Sequence, residues 1–268
     1  MIFAIPPLVA EPIFQIGHFP VTNAYINSSL AVVFFLVVGF ILRRKTAMIP
    51  RGLQNFAEAV LEFMLKYLDQ VTRSRQKSLK FLPIIGGIFL FILFSNWVGL
   101  LPGVGSIGRW IVHEGRLTLV PILRSANSDL NLTLAMAVFA VGLSHVLGVA
   151  TIGFFRYANK FIKLADVVRS FRRGGMSIVT SLIEFGVGFL EIISEVAKLI
   201  SLSFRLFGNI FAGEVLLTVM LGLVAYVIPL PFMFLEIVVG LIQALVFAML
   251  TLVYLTMATA EVPQAAHH

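Results

Sequence analysis

The sequence predicts an all-α integral membrane protein with five membrane-crossing helical segments and one amphipathic surface helix. Its last two segments form a long, tilted helical hairpin. Three observations carry this reading. Of 268 residues, 59% are hydrophobic and 12% charged, with a mean hydropathy of +0.99, whereas a soluble domain has about 25% charged residues. Apolar runs able to cross a bilayer, which needs about 20 residues each, recur along the chain. Lys and Arg gather on alternate connections, as the positive-inside rule requires. The whole chain, 1–268, reads as one membrane domain.

Residues 1–26 contain four prolines and no Lys or Arg. Pro6-Pro7 disfavours helix, so an extended tail or surface turn on the outer side is expected. The start lacks the basic stretch and small-residue cleavage site of a signal peptide, and the first span is expected to act as its own insertion signal. That span covers 27–42, with residues from Tyr25 available to complete it, and stops at Arg43-Arg44-Lys45 on the inner side.

Residues 50–76 form no span. Leu53, Phe56, Ala57, Val60, Leu61, Met64, Leu65 and Leu68 recur at three- and four-residue steps, the mark of an amphipathic helix. It is placed on the inner surface, with packing against a partner helix as the alternative. The second span, 81–101, runs outward and has Trp97 near its outer end, where the ring suits the interface. An outer loop, 102–128, follows. The third span, 129–155, returns inward to a loop at 156–177.

Residues 178–224 then give about 47 helix-compatible positions, roughly 70 Å at 1.5 Å per residue. Such a segment is tilted, bent or broken, and Gly186, Gly188, Gly208 and Gly213 are available for bends. Pro229 and Pro231 mark the outer turn, and 232–260 is the last helix.

The cations check this topology. Of 20 Lys and Arg, nine fall between Arg43 and Lys80, six between Arg156 and Arg173, and three (Arg109, Arg116, Arg124) on the outer loop. The placement accounts for the net charge of +7 without nucleic acid as a partner. There are no cysteines, hence no disulfide and no thiolate metal site. No phosphate loop, H-E-x-x-H or dinucleotide fingerprint is present, so no cofactor or metal is expected and an independent enzyme is disfavoured. No inverted repeat marks a secondary transporter.

The stretch that needs explaining is Leu199–Glu214, L-I-S-L-S-F-R-L-F-G-N-I-F-A-G-E, inside the long apolar segment. An arginine at mid-membrane costs about 2.5–3.5 kcal/mol on insertion scales, and Arg205 cannot shed its proton. On an ideal wheel Glu191, Ser194, Lys198 and Asn209 fall within about 40° of Arg205, while Glu214 lies about 180° away. The long segment therefore carries two separated polar sets. Plainer readings stand beside this one. Glu195 and Lys198 suit an i,i+3 ion pair with a snorkelling lysine. Gln243, seven residues from Glu236, suits a helix–helix hydrogen bond. Asp129 suits an N-cap. His145, near mid-span, either lines the outer path or is satisfied by a neighbouring group.

The motif S-F-R-L-F-G-N-I-F-A-G-E resembles the signature of subunit a of F-type ATP synthases. Q-A-L-V-F-A-M-L-T-L-V-Y-L at Gln243–Leu255 agrees, as does D-L-N-L-T-L-A-M-A at Asp129–Ala137 more loosely. In order and spacing the resemblance covers about Asn27 to Ala260. It implies a stationary proton-channel subunit with two offset half-channels that serve a rotating ring of small hydrophobic hairpins.

On that resemblance, Arg205 is the barrier between half-channels and the partner of the ring carboxylate. Glu214, Glu236, Asn209, Gln243, Asp129, Asn131 and His145 belong to the outer half-channel. Glu191, Ser194, Glu195 and Lys198 belong to the inner one. Glu236 stands where some members have histidine, and Gly99 where some have an acidic residue. The implied partners are the ring, peripheral-stalk (b-type) subunits and the lipid bilayer. The implied location is a bacterial plasma (inner) membrane, or alternatively an organelle's energy-coupling membrane. The transported ion is the proton, with sodium as the other choice. A self-contained proton-coupled transporter, or a scaffold in which Arg205 is a locked ion pair, are the competing readings.

Overall fold

The computed structural model describes residues 7–44, 47–101, 103, 107–113, 116–161, 176–223 and 228–260. Helices α1 (Asn23–Arg44), α3 (Arg75–Val98) and α4 (Leu130–Ile152) are each long and apolar enough to span a bilayer. So are most of α6 (Met176–Leu223) and all of α7 (Pro229–Ala258). The all-α membrane architecture read from the sequence holds, with five such helices among the described residues. Two further helices, α2 (Leu53–Thr72) and α5 (Phe154–Phe161), are not of this kind.

The core lies where α3, α4, α6 and α7 meet, around Phe89, Ile92, Leu202, Leu206, Phe247 and Leu252. Ala137, Ala140, Ala244 and Ala248 are almost wholly buried there. Small side chains let helix backbones approach closely where lipid offers no hydrophobic drive to associate. Helix α1 stands at the edge. It buries only Asn23, Ala24, Asn27 and Ala31, and Asn27 Nδ2 tethers it by donating to the carbonyls of Arg124 (2.7 Å) and Ser95 (3.3 Å).

The surface helix is only half on the surface. The second half of α2 buries Met64, Leu65, Leu68 and Thr72 in contact with α3 and α7, so the partner-helix alternative is met within the chain. Its first half leaves Leu53, Phe56 and Leu61 exposed. Between α2 and α3, Arg73 adopts a left-handed φ of 52° and its N–H returns to Asp69 O at 3.0 Å. The Thr72 and Ser78 hydroxyls meet at 2.7 Å.

Both stretches expected on the outer side contain strands that periodicity does not reveal. Strands β1 (Pro12–Ile16) and β2 (Phe19–Thr22) form an antiparallel hairpin turned at Gly17, whose φ is +63°. Strands β3 (Gly108–His113) and β4 (Arg116–Pro121) form a second. Arg109 Nη1 joins the hairpins by donating to Ile13 O at 2.7 Å. A 3-10 turn, Ala126–Ser128, leads into α4, which Asp129 caps by accepting from Asn131 N at 3.1 Å. The expected inner loop begins with α5 instead, after Gly153 turns the chain with φ +92°. Lys163, Arg169, Arg172 and Arg173 of the basic stretch lie outside the described residues.

Helix α6 is one unbroken helix of 48 residues, about 72 Å long. That is more than twice the roughly 30 Å hydrocarbon thickness, so it is accommodated by tilt or by running beyond the hydrocarbon. The glycines offered as bends do not break it. At Gly186 and Gly208 a Cβ would meet nothing.

Candidate functional site

Polar groups collect at three levels along the α6–α7 hairpin. The first is at the end where the hairpins, the 3-10 turn and the starts of α1 and α4 gather. Glu214 of α6 faces Arg124, whose Nε donates to Oε1 at 2.8 Å and Oε2 at 3.1 Å. Arg124 Nη2 donates to Pro7 O at 2.8 Å, and its side chain is only 4% exposed against 25% for Glu214.

Glu236 of α7 is buried, and its carboxyl lies where a Cβ on Gly213 would be. The glycine beside Glu214 thus makes the room that Glu236 occupies. Among the described residues, no hydrogen-bond donor reaches that carboxyl. One turn on, Asn96 Nδ2 donates to Gly240 O at 3.1 Å, Asn127 Nδ2 donates to Asn96 Oδ1 at 2.8 Å, and Trp97 Nε1 donates to Ile237 O at 3.2 Å. These bonds fix α7 against α3. Asp129 is buried at its cap, while Asn131 is exposed. Gln243 is buried on the same face of α7 as Glu236, as the seven-residue spacing predicts.

The second level is Arg205. It is exposed, beside exposed Ile200, Phe204 and Asn209. Among the described residues its hydrogen bond is to Ser201 Oγ at 3.5 Å, and no carboxylate comes within 4 Å. No hydrogen bond joins it to Gln243. The locked ion pair of the scaffold reading is therefore not formed within the described chain. Ser194 is likewise exposed on α6.

The third level lies toward the ends of α4 and α7. Lys198 Nζ donates to Glu195 Oε1 at 2.7 Å, so the i,i+3 pair exists. Glu195 Oε2 lies 3.6 Å from His145 Nε2, and His145 Nδ1 lies 2.8 Å from Tyr157 Oη. Lys198 also sits over the Tyr254 ring at 5.4 Å. A small cavity is lined by Ser144, His145, Tyr157, Glu195, Lys198 and Tyr254. Burial pushes the Tyr157 phenol above its ordinary range, helped by the charges of Glu195 and then Glu191.

His145 is thus grouped with Glu195 and Lys198, not with Glu214 and Glu236 as expected. Fifteen residues into α4, it has passed well beyond Thr133, which is level with Ser203 (Oγ1···Oγ 3.4 Å). The antiparallel run of α6 brings Glu195 to it. The position of Gly99 also has a steric account: a Cβ there would stand 2.8 Å from Ser125 N, so no acidic side chain fits this backbone. Arg124, Asn96, Asn127, Tyr157 and Tyr254 were not singled out as site residues from sequence. Among these, Asn96 inside an apolar run was the available signal.

The family model described as ATP synthase A chain matches residues 25–256. The chain belongs to that family. It is similar to ATP synthase subunit a of Campylobacter concisus, with 33% identity over 231 residues covering 86% of this chain and 87% of the relative. ATP synthase subunit a of Campylobacter jejuni subsp. doylei is 31% identical over 235 residues (88% and 89%), and that of Moorella thermoacetica 28% over 243 (91% and 93%). With five apolar helices of spanning length, this ATP synthase A chain family member is a multi-pass membrane protein, a component of the membrane sector.

Proposed function

We propose that the chain is the stationary proton-path subunit of a rotary ATP synthase, and that Arg205 divides its path in two. The observation that carries this is the placement of Arg205. A permanent cation sits exposed on a largely apolar helix without an anionic partner in the described chain. Exposure to lipid alone costs about 2.5–3.5 kcal/mol, so a partner carrying negative charge belongs against it. A ring of small helical hairpins, each with a mid-membrane carboxylate, supplies that charge.

Protons enter on the hairpin side past Asp129, Asn131, Glu214 and Glu236, with Asn209 and Gln243 flanking the transfer to the ring. A neutralised ring carboxylate crosses lipid and returns its proton past Glu191, Ser194, Glu195 and Lys198. Arg205 favours the ionised ring carboxylate by direct attraction and blocks a proton passing straight between half-paths. Each charge moved through 100 mV supplies about 2.3 kcal/mol, which the ring turns into torque. The chain itself makes no ATP. The basic face, with Arg43, Arg44, Arg73 and Arg75, is the cytoplasmic side of a bacterial plasma membrane, and b-type stalk subunits hold the chain stationary.

The test is cross-linking in the assembled complex. The chain has no cysteine, so single cysteines at Ser201 and Asn209 report cleanly on the Arg205 face. They are expected to cross-link to a small hydrophobic subunit, and a cysteine at the exposed Val37 of α1 is not. Cross-linking at Val37 alone would overturn the assignment of this face. A complex purified without any small hydrophobic subunit, yet still coupling protons to solute uptake, would favour the transporter reading.

A further inference from the structure

We propose that His145, with Glu195 as counter-charge and Tyr157 as hydroxyl relay, is the residue that takes up and releases the proton at the basic-face end of the path. This rests on the proton-path reading above and names a carrier within it. Three elements meet at the imidazole. Helix α4 supplies it, α5 supplies the Tyr157 hydroxyl 2.8 Å from Nδ1, and α6 supplies Glu195 Oε2 3.6 Å from Nε2. The other Glu195 oxygen is already engaged by Lys198 at 2.7 Å. Among the described residues, Glu191, felt by the Tyr157 phenol, and Tyr254 of α7 on the cavity wall are the other titratable neighbours.

The geometry accommodates both charge states of the ring. In the neutral ring, Nε2–H faces Glu195 and Nδ1 accepts from the Tyr157 hydroxyl. In the imidazolium, both nitrogens are donors, and the hydroxyl turns so that its oxygen accepts from Nδ1–H. A proton can therefore arrive without stranding a polar atom. The Tyr157 oxygen takes a proton from the aqueous side as its own passes to Nδ1, and the reverse transfer releases it. Because the buried phenol holds its proton tightly, the hydroxyl exchanges protons without becoming a phenolate. Glu195, held by Lys198, offsets the added charge when His145 is protonated.

A purely mechanical role, pinning α5 to α4, is the competing account. It predicts that Tyr157→Phe, which keeps the ring packed against Gly148 where a Cβ would collide with it, leaves the rate unchanged.

The experiment is ATP-driven proton pumping by the whole complex in inverted vesicles, followed as the pH at the basic face is varied. The parent rate is expected to depend on that pH. His145→Gln keeps hydrogen-bonding capacity but cannot titrate. It is expected to lower the rate roughly a hundredfold, the low end for loss of a positioned acid–base group, and to flatten that pH dependence. Tyr157→Phe keeps the ring and is expected to lower the rate roughly threefold to tenfold, the worth of one hydrogen bond. An unchanged rate and profile in His145→Gln overturns the proposal. If that variant does not assemble, an unchanged profile in Tyr157→Phe overturns it instead. Arg205→Ala in the same vesicles separates the two readings. If it stays tight and coupled, the proton-path reading falls. If it leaks while His145→Gln matches the parent, only the role of His145 falls.

Discussion

Arg124 grips Glu214 with both carboxylate oxygens within 3.1 Å of its Nε, and its Nη2 donates to the carbonyl of Pro7. The arginine is nearly inaccessible while the glutamate keeps a quarter of its surface. Removing one member of such a pair strands the other. Arg124→Ala is therefore expected to reduce the amount of assembled complex. Arg124→Ala with Glu214→Gln is expected to recover part of it, with a coupling of about 1–3 kcal/mol. Detergent-melting midpoints of the purified complexes measure this. Strict additivity of the two substitutions would show that the pair does not hold the hairpin side together.

Gly213 and Glu236 share one space, since a Cβ on the glycine would overlap the carboxyl. Gly213→Ala is expected to drive Glu236 from its seat and cut proton-driven ATP synthesis roughly tenfold or more, an effect of a misplaced acid–base group. Glu236→Gln should slow synthesis while leaving assembly intact, because its carboxyl makes no hydrogen bond among the described residues. Normal synthesis in Gly213→Ala would mean that Glu236 works from another position.

Gly99 tests the account of its own occupancy. Its Cβ position lies 2.8 Å from Ser125 N, closer than an ordinary contact, so Gly99→Asp has to displace the chain before the 3-10 turn. We expect a loss of about 1–3 kcal/mol, the range for overpacking a tight site, read as a lower melting midpoint. A midpoint equal to the parent's would show that the turn yields freely and that sterics do not dictate the glycine.

The spans were legible because hydropathy over about 20 residues is a strong signal, although the helix of the second span begins at Arg75, six residues before the expected start. The long helix was legible as well, but not its continuity: Gly186 and Gly208 look like hinges in sequence, yet nothing in the fold asks them to bend. The two hairpins were not legible, because short strands in Pro- and Gly-punctuated stretches carry too few alternating positions. Arg205 announced itself through its cost in an apolar run. Arg124 did not, since a loop arginine carries no such cost until the fold buries it. That His145 lies beside Glu195 and Tyr157 was not legible, because its depth along one helix says nothing about which neighbour runs past it.

Arg205→Ala is expected to leave passive proton leakage in vesicles stripped of their catalytic heads, because the two polar sets then lack a fixed cation between them. The measurement is acidification of such vesicles under an imposed potential, compared with the parent. Vesicles as tight as the parent's would deny Arg205 its barrier role.

The most direct test of the central claim is proton-driven ATP synthesis by the intact complex carrying Arg205→Lys. Lysine keeps the formal charge, but its compact ammonium lacks the planar fork and loses its proton readily when desolvated, so it can pass protons where arginine stops them. The account predicts that synthesis is abolished at a potential that drives the parent complex normally. Synthesis near the parent rate would contradict it, because any cation at this position would then suffice.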